Sequence, residues 1–180
     1  EVFVPLETRG SVARATGADV FLSLHADALA EGEATGATVY LLADEASDAA
    51  SARLAERHDR ADLLAGIDLA GQDDLVAAVM MDMARTETRP RSERLARALA
   101  AAIGEKGGRL HRHPIQQAAF SVLKSPDIPS VLLEVGFLSS EDDLKRLADP
   151  AWRSLMQEAI LAALADWAVA DAAEARLIRQ

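Results

Sequence analysis

Short apolar runs alternate along the chain with longer stretches in which apolar residues recur at helical spacing. Such runs predict strands when they are rich in β-branched and aromatic residues and end at turn-forming residues. The four strands predicted in this way cover Ala18–Leu24, Ala37–Leu42, 118–123 and Ser130–Glu134. Because helical stretches separate the runs, the pattern predicts an α/β fold with a mainly parallel or mixed sheet flanked by helices.

Start and stop signals give approximate bounds for the helices. Gly17 closes a first helix over residues 6–17, and Ser47 is placed to cap a second that runs to about residue 64. Pro90 predicts an interruption, so that a separate helix begins near residue 92 and ends before a cluster of glycines. Ser139 or Ser140 caps a short helix that Pro150 ends, and the last helix covers about 152–172.

Composition and charge narrow the class of protein. The 180 residues carry a formal net charge of −10, and such an acidic surface repels nucleic-acid phosphates. With no cysteine, a disulfide framework, a thiol nucleophile and a cysteine zinc site are excluded. No apolar run is long enough to span a membrane. The sequence does not begin with methionine, and its first residues do not have the features of a signal peptide. We therefore expect a processed or trimmed piece of a longer protein.

Two side chains at the ends of predicted strands are the main candidates for chemistry. His25 follows an apolar run, and an imidazole there can bind a metal while a neighbouring acceptor fixes its tautomer. Glu134 closes the run Val131–Leu133, where a buried carboxylate needs a cation, a hydrogen-bond network or a catalytic role. A structural histidine and a salt-bridged glutamate are the alternatives.

The other histidines carry a weaker signal. His111 and His113 would share one face of a strand, a spacing that suits zinc, but the glycines before them predict a surface loop. His58 lies on a charged helix, where a solvated side chain is the default. From the residues alone, the prediction is an α/β domain with a hydrolytic site around His25 and Glu134.

Three stretches, in this order, resemble the zinc-dependent N-acetylmuramoyl-L-alanine amidases of the cell-separation type. The first joins FVPL near the start of the chain to ADVFLSLHADA, and the second is GATVY with the helix that follows it. The third runs from Gln117 to Ser139 and contains SPDIPSVLLEVGFLS. Together they cover nearly the whole chain.

The resemblance implies a mechanism. Family members hold one zinc with two histidines and a glutamate; His25 matches the second histidine, and Glu134 matches the catalytic glutamate. The zinc would polarise the lactyl amide carbonyl of peptidoglycan, and Glu134 would move the proton of the attacking water to the leaving L-alanine amine. By the same resemblance, Gln117 and Phe120 would contact the substrate.

One metal-binding segment of the family has no counterpart in this sequence. The first zinc histidine and the glutamate ligand would lie upstream of Glu1, and His25 alone cannot hold a catalytic zinc, which normally needs three protein ligands. We therefore expect the amidase domain, residues 1–180, to be N-terminally incomplete. A periplasmic location is implied, with the signal peptide outside this sequence.

A helical insertion over about 47–88 resembles the regulatory segment of amidases that are switched by partner proteins. It would lie over the zinc and block substrate until a LytM-type activator of the divisome moves it. Glu56 or His58 would cap the metal in this inhibited state. Four apolar residues would form the activator's docking surface, or else ordinary core: Val76, Val79, Met80 and Met83.

Two other functions stay open on the sequence. A non-catalytic peptidoglycan-binding or regulatory module could keep the same fold without a complete zinc site. A different zinc hydrolase, such as a peptidase, could use a similar α/β scaffold. The products would distinguish them, because an amidase frees muramyl glycans whereas a peptidase cleaves peptide bonds.

Overall fold

The computed structural model describes residues 4–28, 34–64, 75–125 and 127–178. Among these residues, no helix is both long enough and apolar enough to cross a bilayer. The helices are α1 (Leu6–Ala15), α2 (Ala49–Leu64), α3 (Leu75–Glu105), a 3-10 turn (Ser121–Leu123), α4 (Glu141–Ala148) and α5 (Pro150–Ile178). The strands are β1 (Phe21–His25), β2 (Ala37–Leu42), β3 (Leu110–Ala118) and β4 (Ser130–Glu134).

The four strands form one sheet in the order β1-β4-β2-β3. β4 runs antiparallel to β2, with Thr38 opposite Glu134. On its other side, Phe21 N–H donates to Pro129 O, and Val135 N–H donates to His25 O. Residue numbers rise together in this second pairing, so β1 and β4 are parallel and the sheet is mixed. The predicted α/β class with a mixed sheet is confirmed.

The chain divides into two compact units. The first comprises Glu1–Ser23, Leu41–Ser92 and Gln117–Val131, and the second comprises Leu24–Tyr40, Glu93–Gln116 and Leu132–Gln180.

In the first unit, α2 packs against the 3-10 turn. Ser51, Leu54 and Ala55 are buried on α2, at the spacing that lines one helix face. The Asp59 carboxylate accepts hydrogen bonds from Ser121 N–H at 3.0 Å and Ser121 Oγ at 2.8 Å. Both the apolar stripe and the Asp59 contact therefore help to hold the described part of α2.

In the second unit, the buried face of α3 begins with Leu95 and continues at helical spacing through Leu99 to Ile103, each with no solvent exposure. α4 packs against α5, and α3 is tied to α5 by Arg94, whose guanidinium lies 2.7 Å from the Glu174 carboxylate. Further buried apolar side chains of this unit are Val39, Leu132, Leu133, Phe137, Met156, Ala159, Ala163 and Trp167.

The predicted interruption at Pro90 is wrong, because α3 continues through this proline from Leu75 to Glu105. A proline removes one helical hydrogen bond and costs about 3 kcal/mol inside a helix. Packing on either side opposes that cost. Thr88 and Ser92 are buried, and Ser92 Oγ accepts a hydrogen bond from Ser130 N–H at 2.9 Å.

The third predicted strand, 118–123, is also wrong. The strand lies earlier, at Leu110–Ala118, and residues 121–123 form the 3-10 turn. β3 is the edge strand beside β2, which tolerates Pro114 and the polar composition of this stretch. The Ser121 N–H donates to the Asp59 carboxylate, so it is not available for pairing with a neighbouring strand.

The caps of three helices follow local chemistry. Ser140 caps α4 as predicted, because its Oγ accepts a hydrogen bond from Asp143 N–H. Ser47 does not cap α2; Asp48 does, through Ser51 N–H at 2.8 Å, and Ser47 instead bonds to Gln117. The glycine cluster ends α3 with the left-handed Gly107, whose φ is 83°.

Candidate metal and catalytic site

His25 and Glu134 occupy equivalent places in the sheet. His25 is the last residue of β1 and Glu134 the last of β4, and these strands are parallel neighbours. The carboxyl ends of parallel strands meet at one edge of a sheet, where ligands commonly bind in open α/β sheets. The two residues that the sequence selected as its main candidates therefore lie together in the second unit.

Backbone hydrogen bonds join the segments that follow the two strands. Val135 N–H donates to His25 O at 2.9 Å, and Leu138 N–H donates to Asp27 O at 2.8 Å. In the opposite direction, Asp27 N–H donates to the Glu134 carboxylate oxygen Oε2 at 3.0 Å. The orientation of the Glu134 side chain is thus tied to the backbone of the segment that carries His25.

Asp27 is a third candidate ligand beside these two residues in the second unit. Ligand atoms of His25, Asp27 and Glu134 all lie within 4.8 Å of one another. The sequence pattern assigned Asp27 no ligand role, since an aspartate after a strand is common in loops. Its proximity to Glu134 depends on a contact across 107 positions of the chain, which no local pattern shows.

The cluster is shielded unevenly from solvent. Glu134 has no solvent exposure, whereas His25 and Asp27 are half-buried. Thr38, which lies opposite Glu134 on β2, is also buried. Glu134 is therefore enclosed by protein, whereas His25 and Asp27 are partly open to solvent.

The candidate metal caps, Glu56 and His58, lie on α2 in the first unit. Glu56 is 68% exposed and pairs with Arg60 at 2.6 Å. His58 is half-buried, and its ring lies edge-on to Phe120 with the ring centres 5.7 Å apart. The two residues differ in environment: Glu56 is on the solvent face of α2, and His58 is on its packed face.

The two predicted substrate contacts, Gln117 and Phe120, are also in the first unit. Gln117 is exposed, and its backbone exchanges hydrogen bonds with Ser47. Phe120 has no solvent exposure. In the conformation described, a ligand can reach Gln117, whereas Phe120 becomes accessible only after its neighbours move.

His111 and His113 lie on β3 and not in the predicted loop. The His111 ring nitrogen Nδ1 accepts a hydrogen bond from His113 N–H at 3.2 Å, and the two rings have centres 6.1 Å apart. Neither belongs to a group of three or more candidate ligands within the described ranges. The four apolar residues predicted to receive an activator have side chains outside the described part of the structure: Val76, Val79, Met80 and Met83.

Known proteins match this chain over most of its length. The model of the N-acetylmuramoyl-L-alanine amidase family Amidase_3 matches residues 1–166. The amidase AmiA of Salmonella typhimurium is 37% identical over 161 residues, which are 89% of this chain and 55% of AmiA. The amidase AmiC of Escherichia coli is 33% identical over 165 residues, 91% of this chain and 39% of AmiC.

The fold has solved relatives too. The CwlD amidase from Clostridioides difficile, solved in complex with the GerS lipoprotein, superposes with a TM-score of 0.60 at 18% identity. The superposition covers 92% of this chain and 62% of CwlD. The chain spans about half the length, or less, of the curated relatives it matches. By the extent of the family match and by its identity to these relatives, the chain belongs to the N-acetylmuramoyl-L-alanine amidase family Amidase_3.

Proposed function

We propose that the protein containing this chain is a zinc-dependent hydrolase that cleaves the amide bond between N-acetylmuramic acid and L-alanine in peptidoglycan. One observation carries the proposal: in a chain of this family, His25, Asp27 and Glu134 bring their ligand atoms within 4.8 Å at the ends of adjacent strands. This activity implies a location where peptidoglycan is accessible, and we propose the periplasm.

The cluster has the chemistry of a zinc site. Imidazole nitrogen and carboxylate oxygen are both ligands that zinc takes in proteins, and His25 and Asp27 offer one of each beside the Glu134 carboxylate. We propose His25 as a metal ligand, with further ligands supplied by the segment that the family resemblance implies upstream of Glu1.

Glu134 is the proposed general base. When bound, zinc supplies a Lewis acid that polarises the amide carbonyl. Glu134 takes a proton from the attacking water and delivers it to the leaving L-alanine amine. Asp27 N–H holds one oxygen of the Glu134 carboxylate, at 3.0 Å, and thereby fixes the direction of the other. Glu134 has no solvent exposure, so access of bulk water to this carboxylate is limited.

The helical segment over about 47–88 is the proposed inhibitory element, with a LytM-type activator as the partner that moves it. Two contacts of α2 support this assignment: His58 packs on Phe120, a proposed substrate contact, and Asp59 holds Ser121. Of the two candidate metal caps, we favour His58, because Glu56 is exposed and already pairs with Arg60.

The deciding experiment compares Glu134→Gln with wild type in the complete protein incubated with purified sacculi. We expect Glu134→Gln to release no muramyl glycans while it keeps its fold and its zinc, because the proposed base does not hold the metal. The matched control is Glu105→Gln, an exposed glutamate at the end of α3, which should behave as wild type. His25→Ala should lose both zinc and activity.

Three outcomes would contradict the proposal. Wild-type turnover by Glu134→Gln would show that Glu134 is not the general base. Cleaved peptide bonds in place of freed glycans would assign a peptidase. Binding to sacculi with no product from the wild-type protein, even with its activator, would make the chain a non-catalytic wall-binding module.

A further inference from the structure

Asp143, on the first turn of α4, is a buried acid that the proposed chemistry does not use. Its side chain is 3% exposed. One carboxylate oxygen, Oδ2, accepts hydrogen bonds from Gly36 N–H at 2.8 Å and from Phe137 N–H at 3.1 Å. The other, Oδ1, accepts from Thr35 Oγ1 at 3.0 Å and from the Arg146 guanidinium at 2.7 Å. Four donors from three separate parts of the chain thus converge on one carboxylate.

Capping of α4 does not explain this arrangement. Ser140 already serves as the N-cap, and Glu141 and Asp142 supply exposed negative charge to the same turn. A buried carboxylate is costly unless hydrogen bonds satisfy it. What Asp143 adds is a link from α4 to two backbone amides that lie far from it in sequence.

One of these amides belongs to the turn that follows Glu134. Phe137 N–H lies between the two amides, of Val135 and Leu138, that donate to the segment of His25 and Asp27. Gly136 packs on the acid so closely that a Cβ there would lie 3.2 Å from Asp143 Cβ. The position of this turn, and with it both hydrogen bonds to the His25 segment, depends on where Asp143 holds Phe137.

The other amide belongs to the start of β2. Gly36 has a φ of 88°, a conformation that favours glycine, and two residues later Thr38 pairs with Glu134. Asp143 therefore fixes the backbone on two sides of Glu134: the turn that continues β4, and the strand opposite it.

We propose that Asp143 is a positioning residue: through the amides of Gly36 and Phe137 it sets the placement of Glu134 relative to His25 and Asp27. This inference rests on the proposed function, in which these residues form the metal and proton-transfer site. It predicts that Asp143 acts through its hydrogen bonds to the two amides and that its ion pair with Arg146 is secondary.

A series of variants in the complete protein separates the amide contacts from the charge. Asp143→Asn keeps one acceptor oxygen for both amides; its NH₂ can donate to the Thr35 hydroxyl, but the hydrogen bond from the Arg146 guanidinium is lost because both groups are donors. Arg146→Gln removes the cation and leaves the carboxylate in place. Asp143→Ala removes all four contacts. Gly136→Ala keeps the acid but pushes against it.

The measurements are kcat and KM on sacculi, well below the melting temperature, and zinc affinity by competition with a chelator. We expect Asp143→Ala to lower kcat and zinc affinity by roughly 10- to 100-fold, as for groups that orient ligands, with little change in KM. Asp143→Asn and Arg146→Gln should stay within about threefold of wild type, since both keep the amide acceptor. The kcat and zinc affinity of Gly136→Ala should lie between those of these two variants and those of Asp143→Ala.

The proposal is overturned if folded Asp143→Ala keeps wild-type kcat and zinc affinity, or if Arg146→Gln loses as much as Asp143→Ala. If Asp143→Ala does not fold, Gly136→Ala decides, and wild-type kcat and zinc affinity in that variant overturn the proposal. A wild-type protein without amidase activity would refute the proposed function instead, and the zinc affinities would still test Asp143.

Discussion

Removal of the Asp59 carboxylate tests whether α2 restrains the proposed amidase activity. Asp59→Ala deletes the hydrogen bonds to Ser121 N–H and Ser121 Oγ, at 3.0 and 2.8 Å. A hydrogen bond to a charged group contributes about 1.5–3 kcal/mol when buried. Asp59 is only half-buried, so we take about 2 kcal/mol for the pair, near the low end of that range.

This loss converts into a shift between docked and released α2. Since about 1.4 kcal/mol corresponds to a tenfold change in an equilibrium, 2 kcal/mol raises the released fraction roughly 30-fold. Alanine also has a higher helix propensity than aspartate, so the substitution loosens the contact without unwinding the helix. The basal rate should rise by up to this factor, with the activated rate as its ceiling.

The assay is hydrolysis of sacculi by the complete protein without activator, paired with hydrogen exchange of the α2 amides. Arg57→Ala is the matched control, because Arg57 is an exposed residue that lies on the same helix close to Asp59. If Asp59→Ala shows the same basal rate and the same α2 protection as the control, the proposal that this contact restrains α2 is refuted. Faster exchange without a higher basal rate would mean that α2 is held by Asp59 but does not inhibit.

Two further predictions concern stability. Gly107→Ala should destabilise the fold by about 1 kcal/mol, because the φ of 83° disfavours a side chain; Gly104→Ala, inside α3, should cost less in the same thermal melts. The Arg14 guanidinium, 2.6 Å away, lowers the pKa of Asp127 below 3.8. A lowered carboxyl pKa gives stability that is present above pH 3.8 and lost as the pH falls through the folded-state pKa. Both groups are over 40% exposed, so the ion pair contributes less than about 1 kcal/mol to stability. With Asp127→Asn, the free energy of unfolding should fall by that much less between neutral and acidic pH, and salt should reduce the difference from wild type.

The parts of the fold that could be predicted from the sequence are those set by local pattern. β2 and β4 were predicted to the residue, because each is a continuous apolar run bounded by turn-forming residues. β3 was missed because its polar stretch becomes a strand only by pairing with β2 at the edge of the sheet. The continuity of α3 through Pro90 likewise depends on the packing of Thr88 and Ser92.

The same distinction applies to the candidate site. His25 and Glu134 could be proposed from the sequence because a strand end is visible in it. Asp27 and Asp143 could not, because the roles proposed for them rest on hydrogen bonds across 107 positions, from Asp27 N–H to Glu134 and from Gly36 N–H to Asp143. The first-turn acids of α4 look alike in sequence, and only burial separates Asp143 from its two exposed neighbours.

Glu134 and Asp143 are both buried acids, but their substitutions should differ in their effect on stability. Asp143 accepts four donors, so its truncation leaves amides without an acceptor and should lower the melting temperature. For Glu134, the contact with Asp27 N–H is one that a glutamine oxygen can replace. Glu134→Gln keeps the size of the side chain and this acceptor oxygen, so the metal-free protein should lose less stability than it does with Asp143→Ala. Lost activity without lost stability would mark Glu134 as a residue kept for chemistry, whereas a large drop in stability would mark it as structural.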